Sequence, residues 1–299
     1  MKFSVLIATK DRPEDLLPCL RTVLAQDVED YEVLVADQST TQASEEAVRE
    51  AFGEVPRLRY LRTDTVGKSV ALNLLLARAC GEIFVFTDDD TEVPPDWLRT
   101  IGKVMAENPE VDVVFGQVKP GKIPEGITNA WTPNFCFKER RLLRKGEIAG
   151  MGANMAMRRS IALRVGCFDP LMGPGAPLPA AEEGDFIYRA YRLGAKVMHE
   201  PSIQLLHRAW RPGEKWVRVL YSYGVGEAAF AMKHLRCWDW RMIGRLVKPP
   251  LYFFARLCYR ILCRRAHQEE YFLRGYGRGL ILSFHYRVDP RTRLYIHPE

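Results

Sequence analysis

Residues 81–97 read Gly-Glu-Ile-Phe-Val-Phe-Thr-Asp-Asp-Asp-Thr-Glu-Val-Pro-Pro-Asp-Trp, and they constrain the fold more than any other stretch. Ile83 to Phe86 is a short run of β-branched and aromatic side chains, the pattern of a fully buried strand. It runs into Asp88, Asp89 and Asp90, and Pro94-Pro95 then opens the next helix, where a missing N–H is tolerated. Three carboxylates at the end of a buried strand repel one another and call for compensation. A hard divalent cation, Mg²⁺ or Mn²⁺, supplies it and commonly shares its shell with substrate phosphates. Open α/β sheets also bind ligands just beyond the carboxyl ends of their strands. The competing reading is a solvated acidic turn in which Asp90 caps the following helix.

Up to His207 the chain alternates strand and helix patterns. Phe3–Ala8, Glu32–Ala36, Leu58–Leu61, Ile83–Phe86 and Val111–Phe115 read as strands. Glu14–Ala25, Ser44–Phe52, Gly67–Ala79 and Pro95–Glu107 read as helices, the second capped by Ser44. Leu16, Leu17, Leu20, Val23 and Leu24 fall on one face of the first helix. Repeated β-α units with short connections predict an α/β fold, a mostly parallel sheet flanked by helices. Residues 118–150 read as a loop-rich excursion with a basic turn from Lys138 to Lys145, and Gly150 to Met157 as a returning strand. The glycine- and proline-rich segment Cys167–Pro179 reads as mobile. A helix with an acidic first turn follows, from Glu182 to a glycine stop at Gly194.

Charge divides the chain near His207. From Arg208 to Arg265 there are 13 Lys and Arg against Glu214, Glu227 and Asp239, a local +10 in a chain of net +6. The seven cysteines are scattered, with no Cys-x-x-Cys, which points to reduced thiols and away from a zinc site. The apolar N-terminal run is too short for a signal-peptide core, and no stretch reaches the roughly 20 apolar residues of a spanning helix.

Several side chains converge on one expected rim. Asp37 ends a strand and could accept hydrogen bonds from a base N–H or a ribose hydroxyl, though a turn aspartate has the same pattern. Thr9 and Asp11 follow the first strand. Gly67-Lys68-Ser69 opens a helix but lacks the upstream glycine of a phosphate loop, which excludes a P-loop ATPase. Lys68 at that helix start still suits a diphosphate. Glu182, Glu183 and Asp185 crowd another helix start, where the dipole alone favours acids; a carboxylate among carboxylates also makes a general base. His207, ending an apolar run, could complete a metal shell.

The order of these pieces resembles the family 2 glycosyltransferases of the GT-A fold. The pieces are Ser4 to Pro13, Glu32-Val-Leu-Val-Ala-Asp37-Gln-Ser39, Gly67 through Asn73, and Phe86-Thr-Asp-Asp-Asp-Thr-Glu-Val-Pro94. Gly152-Ala-Asn154, Glu182-Glu183-Gly-Asp185 and His199-Glu-Pro201 through His207 continue the match, over roughly residues 1–208. The resemblance implies inverting transfer of a sugar from a nucleotide-sugar donor. It gives Asp37 the nucleoside and makes Asp88 and Asp90 the Asp-x-Asp motif for Mn²⁺ or Mg²⁺ and diphosphate, with His207 as a further ligand. Thr9, Asp11, Lys68, Asn73 and Asp89 fall in the implied donor-binding stretches. Glu183 takes the family's catalytic position with Glu in place of Asp, so Asp185 and Glu182 stay open as alternative bases. The alternatives are a catalytically inactive homologue serving as a membrane scaffold, and a sugar nucleotidyltransferase, whose glycine-rich N-terminal loop Ala8 to Pro13 lacks.

Residues 209–299 form a second expected region, helical, basic and aromatic. Arg256, Arg260 and Arg264 recur at helical spacing beside Tyr252, Phe253 and Phe254, the composition of a helix lying in a membrane interface. The same composition fits a helix packed on the catalytic domain, and no nucleic-acid module accompanies it. The expected partners are therefore a nucleotide sugar, a glycan or lipid-linked acceptor and an anionic membrane surface. The expected location is the inner face of the cell membrane, peripheral to it.

Overall fold

The computed structural model describes residues 2–123, 125, 130–144, 146–147 and 150–297. Residues 124, 126–129, 145, 148 and 149 of the expected excursion lie outside them. The chain divides into two compact units: Met1–Gly126 with Thr132–Cys167 and Phe186–Trp210, and Ile127–Trp131 with Phe168–Asp185 and Arg211–Glu299.

The first unit is built on a sheet. Its strands are β1 (Phe3–Thr9), β2 (Tyr31–Asp37), β3 (Leu58–Arg62), β4 (Ile83–Asp88), β5 (Thr91–Glu92), β6 (Val113–Pro120), β7 (Arg141–Leu142), β8 (Met155–Arg158) and β9 (Val197–His207). Among the described residues they lie in the order β3-β2-β1-β4-β8-β6-β9-β5, with β7 on β9. The β1–β2, β1–β4, β2–β3 and β6–β9 pairs are parallel, whereas β8 runs antiparallel between β4 and β6. The expected α/β sheet, mostly parallel and flanked by helices, is what the chain forms. β1, β2 and β4 are buried almost throughout, which is why their sequences are continuous apolar runs rather than alternating ones.

Helices α1 (Pro13–Leu24), α2 (Ala43–Phe52), α3 (Lys68–Leu76) and α4 (Trp97–Glu107) connect these strands. α1 buries Leu16, Cys19, Leu20 and Val23, an i, i+3, i+4, i+7 stripe. α2 starts one residue before Ser44, which does not cap it; its hydroxyl lies 3.1 Å from that of Ser39. Two sequence expectations change. The excursion is partly sheet: β6 runs on to Pro120, and Phe135 bridges to Val118. Gly152–Asn154 is a 3₁₀ turn ahead of β8. α5 (Arg159–Val165) follows, and α6 (Glu182–Arg192) carries the acidic turn.

The second unit holds α7 (Gly213–Arg236), α8 (Met242–Leu262) and α9 (Glu269–Ser283). Gly224 and Gly275 let α7 and α9 approach closely: a Cβ on Gly224 would stand 2.2 Å from the Phe272 carbonyl, and one on Gly275 would stand 2.1 Å from that of Tyr221. Phe272 and Tyr276 on α9 pack with Ala228 on α7, and Phe253 of α8 stacks on Phe272 at 3.8 Å. The segment from Phe168 to Pro179 is packed, not loose. Phe168, Met172 and Leu178 are buried, and Gly173 N–H donates to the Leu178 carbonyl.

Candidate active site

Strand register builds the rim. Thr9 stands opposite Asp37 in the β1–β2 ladder, and Ala8 opposite Asp88 in the β1–β4 ladder. Three parallel strands thus end level, each delivering a polar side chain to the carboxyl edge. His207 arrives from far along the chain because β5 pairs with the end of β9, Thr91 opposite His207. The Arg208 N–H then donates to the Asp90 carbonyl at 2.7 Å.

Asp88, Asp90 and His207 come together there. His207 Nε2 lies 3.4 Å from Asp90 Oδ1 and 3.7 Å from Asp88 Oδ2, and the three candidate ligand atoms fall within 4.8 Å of one another. Asp90 Oδ1 is buried and accepts no hydrogen bond, a state that costs about 1–3 kcal/mol unless a ligand meets it. Two carboxylates and an imidazole, one oxygen unsatisfied, suit a divalent cation such as Mn²⁺. The triad fits the metal expected from the sequence, and Asp90 does not cap α4.

The fold also sets cations of its own against the repulsion among these carboxylates. Lys68 Nζ lies 2.7 Å from Asp88 Oδ1. Arg12 reaches Asp89 at 3.1 Å and Asp90 at 3.4 Å. Burial opposes the charge on Asp88, but Lys68 and His207 outweigh it and hold the carboxyl well below the usual range. At Asp89 burial wins: the carboxyl is pushed up to about 7 against the pull of Arg12 and the Thr9 hydroxyl, which donates to it at 2.7 Å. Sequence reasoning does not single out Arg12. Its one local signal is its place directly after Asp11, at the start of α1 and level with the acidic cluster.

The other residues expected at the donor differ in burial. Asp37 is wholly buried; it accepts hydrogen bonds from the Ser39 N–H at 2.8 Å, from the Ser39 hydroxyl, and from Tyr60 at 2.7 Å. Asp11 is exposed at φ 52°, a strained conformation for a residue with a Cβ. It is fixed by its N–H to Ser39 and by its carboxylate accepting from the Thr40 N–H and hydroxyl. Asn73 sits half-buried on α3.

The acidic turn of α6 splits into unlike members. Glu182 is buried and Glu183 half-buried. Asp185 is fully buried, with Lys233 Nζ at 2.6 Å and His234 Nε2 at 2.8 Å from the same oxygen. Lys233 also holds Asp169 at 2.7 Å, and the Tyr295 N–H donates to Asp169 at 2.8 Å. Arg293 reaches His234 Nδ1 and Asp239, each at 3.2 Å. A neutral His234 that donates through Nε2 and accepts at Nδ1 satisfies both neighbours. Desolvation accordingly pulls its pKa down to about 4 despite the Asp185 carboxylate.

The profile of glycosyl transferase family 2 matches residues 4–166, more than half of the chain. The chain belongs to glycosyl transferase family 2. This family 2 chain is a glycosyltransferase and shares 24% identity over 224 residues with a glucosyl-dolichyl phosphate glucuronosyltransferase of Haloferax volcanii, covering 70% of itself and 69% of that relative. For several other curated relatives it spans less than two thirds of their length. A mannosyltransferase from Pyrobaculum calidifontis, solved with GDP-Man and Mn²⁺, superposes with a TM-score of 0.64 at 19% identity over 93% of this chain and 87% of that one. Staphylococcus aureus TarS, residues 1–349 with UDP-GlcNAc, gives 0.53 at 21% identity over 76% and 66%. At such identities the likeness speaks for the fold, a GT-A sheet. Among its described residues the family 2 chain has no helix long and apolar enough to cross a membrane.

Proposed function

We propose that this family 2 transferase moves a sugar from a nucleoside-diphosphate sugar to a hydroxyl of a lipid-linked or cell-surface glycan, with inversion and with Mn²⁺ or Mg²⁺. The observation that carries it is the buried, unsatisfied Asp90 oxygen beside Asp88 and His207, at the carboxyl edge of a GT-A sheet. Asp88, Asp90 and His207 would hold the cation, which when bound offsets negative charge on the departing diphosphate. Lys68 and Arg12 bring further positive charge to the same edge, and Lys68 at the start of α3 suits a phosphate oxygen. The rim around Thr9, Asp11 and Asp37 takes the nucleoside; Asp37 does so chiefly by ordering Ser39, and Asp11 by holding Thr40.

The acceptor hydroxyl loses its proton as its oxygen bonds to the anomeric carbon and the bond to the diphosphate breaks on the opposite face. A carboxylate must take that proton. We assign it to Glu183, because Asp185 is enclosed by Lys233 and His234. The reading includes a peripheral position on the cytoplasmic face of a membrane, where lipid-linked acceptors are presented.

Calorimetric titration with UDP-, GDP- and dTDP-sugars, with and without Mn²⁺, tests the core of it. One nucleotide sugar binds in a metal-dependent way, and Asp90→Asn removes that dependence. Unchanged donor affinity and metal response in Asp90→Asn would take the metal role away from the triad.

A further inference from the structure

α8 carries two apolar stripes. Met242, Leu246, Phe253 and Leu257 face inward, and Phe253 stacks on Phe272 of α9. A second stripe, Ile243, Val247, Leu251, Phe254, Cys258 and Ile261, recurs every three or four residues and points into solvent. Leu251, Phe254 and Ile261 are 61%, 56% and 55% exposed, and Leu262 at its end is 84% exposed. Tyr252 and Tyr259 flank the stripe, also exposed. A row of large apolar side chains on a helix already packed along its other side marks an interaction surface.

Charge decides what covers it. Residues 241–268 hold seven Arg and Lys and no acid. Three of the seven are paired at home, against two carboxylates: Arg245 with Glu227, and Arg256 and Arg260 sharing Glu269. Arg241, Lys248, Arg264 and Arg265 make no ion pair among the described residues. A second copy seated on this face by two-fold symmetry would bring like charges together. A phosphate-bearing lipid surface complements the cations and takes up the apolar row, with tyrosines at the boundary.

We infer that the outward stripe of α8 inserts into an anionic lipid surface and that Arg241, Lys248, Arg264 and Arg265 bind its headgroups. Phe253, Arg256 and Arg260, which spacing alone places on the lipid side, serve instead in packing and in the pairing with Glu269. The surface stands without the donor-site reading; only its use, holding the enzyme beside a membrane-borne acceptor, rests on that reading.

The test is co-sedimentation of the full chain with phosphatidylglycerol–phosphatidylcholine vesicles and with pure phosphatidylcholine, at low and high salt. The wild type partitions onto the anionic vesicles, more weakly as salt rises. Leu251→Ser with Phe254→Ser lowers partitioning at least tenfold. Each of Lys248→Gln, Arg264→Gln and Arg265→Gln lowers it roughly fivefold, while Arg256→Gln has a smaller effect. All of these side chains are solvent-exposed, and unchanged thermal melting confirms folding. Donor binding measured by calorimetry stays at the wild-type value in every variant, so a failure here is separable from a failure of the proposed reaction. Equal binding to both vesicle types, or full binding by the Leu251→Ser, Phe254→Ser protein, overturns the inference. So does a lipid-free dimer that this double variant dissolves, which would give the stripe to a second copy.

Discussion

The two charge clusters of this protein use the same residue types to opposite ends. At the rim of the sheet, His207 stands 3.4 and 3.7 Å from two carboxylates, and the Asp90 oxygen has no donor. Around α7, Asp169, Asp185, Lys233 and His234 meet at 2.6–2.8 Å, all fully buried. The first is loose and leaves one oxygen unsatisfied, which the cation proposed above would meet. The second closes on itself and leaves no place for one. Composition does not separate them; the completeness of hydrogen bonding does.

The comparison breaks most visibly if the closed cluster is opened. Lys233→Met leaves Asp169 and Asp185 buried and facing each other, and breaking such a pair costs about 3–5 kcal/mol. Urea unfolding should show that loss, whereas removing a member of the rim, as in Asp90→Asn, should leave the midpoint nearly in place. A midpoint in Lys233→Met matching the wild type would mean the closed cluster does not hold the unit together.

Acid tests the same cluster more gently. His234 has its pKa lowered to about 4 in the folded protein, so the unfolded chain takes up this proton first as the pH falls. The contribution is complete above about pH 6.5 and is lost between there and pH 4. It is worth roughly 3 kcal/mol across the 2.5-unit gap. Denaturation at a series of pH values should show this slope, and His234→Gln should flatten it.

The smallest effect is the most discriminating within α6. Glu183→Gln should lower turnover about 10²-fold, the scale of lost general-base assistance, with donor affinity and melting temperature retained. Asp185→Asn should instead lower the melting temperature. A stable Asp185→Asn protein that alone loses turnover would move the base to Asp185.

How much of this is legible in the chain depends on whether the information is local. β1, β2 and β4 are readable because strands buried on both faces have no polar alternation. Asp88 to Asp90 follow because three acids ending a buried strand call for a counter-charge. β5 and β7, two residues each, exist only through their pairing with β9, which no local pattern encodes. Lys233 is indistinguishable from a solvated helix lysine until the fold sets Asp169 and Asp185 against it. Arg256 and Arg260 look like a lipid-facing row at the same spacing that brings them to Glu269. Repulsion among carboxylates makes only part of the case for a metal, since Lys68 and Arg12 relieve some of it; the unsatisfied Asp90 oxygen is the stronger ground.

The two-residue β5–β9 ladder also bears on how the protein is made. Asp88 and Asp90 emerge from the ribosome well before His207, which joins them from on the order of a hundred residues downstream. Contacts of such separation form late, because the intervening chain must be closed first. Until β9 is laid down, the three carboxylates stand at the end of a sheet that lacks its far edge. A growing chain therefore has β1, β2 and β4 in hand well before it can assemble the triad, and α7, α8 and α9 are still to come when His207 emerges.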